Sequence, residues 1–103
     1  FLQAGEKPGT LVTRPFKLEG KGLQVNVDAK NGWVRVEILD ESGKELPGYS
    51  GNAARQHQGV DNLRLSPQWE SRGDLSALAG KTIKLKFTLK NARLYSFKLA
   101  QEE

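Results

Sequence analysis

From Thr10 onward, apolar and polar residues alternate with period two, the pattern of strands that bury one face and wet the other. Leu23, Val25 and Val27 interleave with Gln24, Asn26 and Asp28. Over residues 33–39, Val34, Val36 and Ile38 take one face, and Trp33, Arg35 and Glu37 take the other. The clearest run, residues 81–90, sets Ile83, Leu85, Phe87 and Leu89 against Thr82, Lys84, Lys86 and Thr88. Leu63 and Leu65 are expected inside a further strand, and Tyr95, Phe97 and Leu99 are expected to share a face of the last one.

Turn chemistry separates these runs. Pro15 cannot donate a ladder hydrogen bond, so Leu11, Val12 and Thr13, followed by Phe16, Lys17 and Leu18, read as an edge strand or a strand junction. Gly20-Lys21-Gly22 reads as a turn, and Lys30-Asn31-Gly32 reads as a hairpin because Asn-Gly supplies positive φ. Asp40-Glu41-Ser42-Gly43-Lys44 makes another turn, and Asn91-Ala92 is expected to turn into the final strand. Residues 74–80 read as one helical turn with Asp74 as N-cap and Gly80 closing it. Residues 50–59 carry no hydrophobic pattern, so 50–64 reads as an irregular, wet segment.

The fold expected from this pattern is all-β: a two-sheet antiparallel β-sandwich, jelly-roll-like, of seven or eight short strands with one short helical turn. A small barrel is the alternative. Residues 1–9 read as a linker or lead-in, 10–100 as the module, and 101–103 as a polar tail. A chain of 103 residues fits one domain and buries enough surface for a core without staples. The absence of an initiator Met suggests a module taken from a longer polypeptide.

Composition narrows the chemistry. The chain has no cysteine, which excludes disulfides, thiolate metal sites and cysteine nucleophiles. Sixteen Lys and Arg against twelve Asp and Glu leave a net charge of +4. That excess describes either a solvated surface or a face for an anionic polymer. No basic stripe with interleaved aromatics occurs, so nucleic acid is not an expected partner. No apolar run is long enough to span a membrane as a helix.

The stretch VRVEILDESGKELPGY at residues 34–49, Trp69, GDLSALAGK at residues 73–81 and LYSF at residues 94–97 resemble an accessory β-sandwich domain. That domain is found near the C-terminus of extracellular bacterial glycoside-hydrolase-like proteins, and the resemblance covers roughly residues 9–99. It implies a secreted, monomeric module, linked to a catalytic domain, that acts as a carbohydrate-binding module or as a structural buttress. The chain departs from the family pattern at residues 51–67 and at Trp33, where a small or polar residue is expected.

Sugar rings stack a C–H face on exposed aromatics and hydrogen-bond planar polar groups. By phase, Trp33 is the leading candidate for such stacking, with Arg35 and Glu37 on its face. The competing reading for Trp33 is a cover over the hairpin edge. Trp69 is read as a structural plug or a binding ring, and Tyr49 stands at the mouth of the irregular segment. That segment gathers Asn52, Arg55, Gln56, His57, Gln58, Asp61, Asn62 and Arg64. Lys84, Lys86 and Lys90 form a basic ladder, read as a solvated face that discourages edge pairing or, beside Arg35, as a seat for a sulfated or uronic glycan. A lone His57 and acids confined to a turn and a tail do not make a hydrolase site. No cofactor is expected, although Asp28, Asp40, Asp61 and Asp74 are the side chains that would serve a structural calcium ion.

Overall fold

A computed structural model describes residues 2–18, 22–46, 48–51, 54–65, 67, 69, 78 and 80–100. Among these residues there are seven strands: β1 (Leu2–Ala4), β2 (Gly9–Val12), β3 (Phe16–Lys17), β4 (Gly22–Asp40), β5 (Gln56–Leu65), β6 (Thr82–Lys90) and β7 (Ala92–Ala100). All pairings are antiparallel, and all seven strands belong to one hydrogen-bonded sheet. The class expected from sequence is therefore met as all-β and antiparallel.

Two of the expected turns do not exist as turns. Residues 22–40 form a single strand of 19 residues through Asn31-Gly32. Likewise β6 does not reverse at Asn91. It pairs with β4 from Trp33↔Lys90 to Asp40↔Ile83, and β7 continues along the same strand from Asp28↔Arg93 to Gly22↔Ala100. Two long, nearly continuous strands thus form the spine of the sheet.

Both spine strands bend at one level. Along β4 the fully enclosed apolar positions are odd up to Ala29 and even at Val34, Val36 and Ile38, where Glu37 and Leu39 are covered as well. Along the partner they are odd up to Leu89 and even at Ala92 and Leu94. Each strand therefore gains a residue at the bend, as a bulge does, and keeps its apolar face inward. Phe87 and Phe97 lie ten positions apart, which would be about 33 Å along a straight strand. Their ring centroids are 5.1 Å apart, so the strand is sharply bent between them without reversing along β4. Asn91 has φ of 48°.

The outer strands break at the same level. The amide of Asn91 donates to the Gly5 carbonyl at 2.9 Å, between β1 and β2. On the other side, Gly59 has φ of 66° and lies within the register shift between Ala29↔Val60 and Trp33↔Gln58. Gly32 is required for a different reason: a Cβ built there would lie 1.7 Å from the Lys90 carbonyl oxygen. Its use is close backbone approach, which the Asn-Gly pair alone does not distinguish from a hairpin.

Further expectations are corrected. The supposed lead-in contains β1, which pairs Leu2↔Leu94 through Ala4↔Ala92, so it belongs to the sheet. The strand expected over residues 60–65 is present, but β5 begins earlier, at Gln56, so residues 56–59 are strand and not irregular segment. Tyr95 does not share a face with Phe97: a register shift in the β4–β7 pairing leaves Tyr95 exposed while Phe97 packs on the core. The edge assignment around Pro15 stands, with β2 and β3 lying against β6. Thr13 bridges them, its Oγ1 accepting from the Leu85 amide at 3.0 Å. Of the expected helical turn, Asp74 lies outside the described residues, while Gly80 has φ of 84° and Leu78 is buried.

One core unites both halves. It contains Leu23, Val25 and Val27 from one side of the bend, and Val34, Val36, Ile38, Leu85, Phe87 and Leu89 from the other.

Candidate functional site

Where β5 ends, the free edge of β4 is completed by the connecting segments. Trp69 Nε1 donates to the Val36 carbonyl at 2.9 Å. Ile38 donates to the Tyr49 carbonyl at 3.1 Å and accepts from Leu46 at 3.3 Å and from Ser50 Oγ at 2.6 Å. Buried backbone polar groups require such partners, and here an indole and a loop supply them.

This arrangement removes three expected ligand contacts. Trp69 is buried and packs against Tyr49, itself buried, at 6.0 Å between centroids. Both rings are core. Glu37 was expected on the wet face, yet it is only 6% exposed, and its Oε2 accepts from the Gly51 amide at 2.9 Å. Its charge-assisted bond pins the loop over the sheet.

Trp33 behaves differently. It is half-buried on the outer face at the bend. A groove of about 420 Å³ opens beside it, lined also by Lys30, Asn31, Gly32, Gln58, Lys90 and Asn91. The bend makes the groove, since these residues come from the broken stretches of β4, β5 and the β6–β7 strand. Arg35 lies over the indole with its guanidinium carbon 6.0 Å from the ring centroid, the outer limit for cation–π attraction. Arg35 Nη2 donates to Gln56 Oε1 at 3.2 Å, so Gln56 helps to hold the stack. Arg35 Nε is buried without a hydrogen-bond partner among the described residues.

The remaining candidates are dispersed. His57 is buried opposite Val34, and burial, then the nearby charge of Arg55, lowers its pKa. Arg55 itself is exposed. Asp61 is exposed and pairs with Lys30 at 3.4 Å. Asn62 and Arg64 lie on β5, and Asn52 lies outside the described residues. Lys84 and Lys86 stand on the outer face of β6, which is paired on both sides, so they protect no edge. Along the strand they sit about 20 Å and 13 Å from Lys90.

No three metal-ligating side chains converge among the described residues. Asp40 Oδ1 accepts from the Ser42 amide and hydroxyl and from the Lys44 amide, and these bonds, the hydroxyl foremost, lower its pKa. Asp28 accepts from the Lys30 amide at 3.2 Å, and Asp74 lies outside the described residues.

Of the groove residues, the sequence offers Trp33 by phase, Gln58 in the irregular segment and Lys90 in the basic ladder, but not Lys30, Asn31, Gly32 or Asn91. Lys30, Asn31, Gly32 and Asn91 looked like turn residues, and turn residues are what a bend across several strands also uses. Comparison with protein-family models, curated proteins and solved structures gives no match for this chain.

Proposed function

We propose that this chain is a non-catalytic carbohydrate-binding module, a bent sheet closed into a two-layer sandwich, that holds a polysaccharide at the groove beside Trp33. The observation that carries the reading is a half-buried indole lining a groove with the planar amides of Asn31, Gln58 and Asn91. A flat aromatic face and amide groups are the two chemistries that recognise a sugar ring and its hydroxyls. The non-catalytic part rests on Glu37 and Asp40 being held by backbone donors and His57 being buried. Secretion and a linked carbohydrate-active enzyme rest on the family resemblance, and a tethered weak site suffices to keep such an enzyme near its polymer.

Affinity electrophoresis tests the reading, with the chain run through gels containing neutral or acidic polysaccharides. The expected result is retardation in at least one gel, abolished by Trp33→Ala. Unretarded migration in every gel would favour a second reading, a structural domain packed against a neighbour. The observation on that side is the apolar exposure of the sheet edge, where Leu11 is 39% and Val12 46% exposed.

A further inference from the structure

We infer that the groove at the bend selects an acidic sugar, a uronate or a sulfate ester, and that Lys30 and Lys90, not the Lys84–Lys86 ladder, hold its charged group. The inference rests on the glycan-binding reading and adds a ligand class to it.

Charge is the first argument. Among the described residues lining the groove, Lys30 and Lys90 are the only charged ones, and no carboxylate lines it; the partner of Lys30, Asp61, lies outside the lining. The register Trp33↔Lys90 places Lys90 directly beside the indole on the neighbouring strand. Lys30 lies on the same strand as Trp33, three residues earlier and across the bend. A ring stacked on the indole would therefore carry its substituents between two ammonium groups.

Availability is the second. Lys30 is shared with Asp61 at 3.4 Å, but both side chains are more than half exposed, at 61% and 53%. Such a surface pair is weak, so an incoming anion displaces Asp61 at little cost. Position is the third. Lys86 faces Glu37 across the β4–β6 pairing, and it stands about 13 Å from Lys90, outside the reach of one sugar ring on Trp33.

The test titrates the chain with a galacturonate tetrasaccharide, a sulfated galactose tetrasaccharide, cellotetraose and a thymidine oligonucleotide, following backbone amide shifts by NMR. At least one acidic sugar is expected to bind about ten-fold more tightly than cellotetraose, as two exposed charge pairs allow. The shifts should centre on residues 30–33 and 90–91. Lys30→Gln plus Lys90→Gln should bring the acidic sugar down to the neutral level, while Lys84→Gln plus Lys86→Gln should leave it unchanged. The tighter acidic probe names the anionic group. Equal affinity for acidic and neutral sugars overturns the charge inference and leaves the glycan reading standing. Loss on the Lys84/Lys86 pair instead of the Lys30/Lys90 pair overturns the assigned position. No shift with any sugar, or tighter binding of the oligonucleotide, overturns both readings.

Discussion

Trp69 and Trp33 both serve the long strand β4, and they serve it in opposite ways. Trp69 reaches it from outside and gives its indole N–H to the Val36 carbonyl, so its ring becomes part of the interior. Trp33 grows from the strand itself, three residues away, on the outer face where the bend opens a groove. The difference lies in what each neighbourhood lacks. Beyond Arg35, β4 has lost its β5 partner, and its carbonyls must be satisfied by whatever covers them. At Trp33 both neighbouring strands are present, through Gln58 and Lys90, so the ring is left over for other contacts.

The largest effect should come from the first ring. Trp69→Ala is expected to cost about 3–5 kcal/mol, since it leaves a cavity beside Tyr49 and an unpaired carbonyl at Val36. Urea denaturation measures it, and a loss under about 1 kcal/mol would show that the plug is not part of the core. Next is Gly32→Ala, whose methyl would collide with the Lys90 carbonyl. A cost near 3 kcal/mol is expected, because backbone rather than a movable side chain stands in the way.

His57 sharpens the buried side of the comparison through pH. Its pKa is lowered in the fold, so below about pH 6.5 the unfolded chain takes up the proton more readily than the native one. Stability is therefore retained above that pH and declines as pH falls through the window between the unfolded and folded values. His57→Gln should flatten that decline in melting experiments run from pH 7.5 to 5. An unchanged slope would mean that another group carries it. The smallest effect on stability belongs to Trp33→Ala, at under about 1 kcal/mol, because the ring is only half-buried. A large destabilisation there, with no change in glycan retention, would reverse the roles of the two tryptophans.

Face assignment was legible in the sequence, and strand direction at the bend was not. The alternation of Leu23, Val25 and Val27, and later of Val34, Val36 and Ile38, names the buried residues correctly. Both runs read the same whether the chain reverses between them or merely kinks, since each leaves an apolar side inward. Asn31-Gly32 and Asn91-Ala92 carry turn chemistry that suits either outcome. What decides is the long-range pairing of residues 22–40 with 82–100, and local pattern holds no information on that. Glu37 shows the same limit: phase puts it on the outer face, and only the Gly51 amide, fourteen residues on, turns it into a buried anchor.

The pairing scheme also dictates an order of events during synthesis. β1 pairs with β7, while β2 and β3 pair with β6, so none of these three has a sheet partner until residues 82–100 leave the ribosome. Before that moment only the β4–β5 ribbon can zip, with one flank still bare. A nascent chain arrested near residue 80 would hold most of this domain's interior open to water, which makes the emergence of residues 82–100 the step that commits the sheet to its native state.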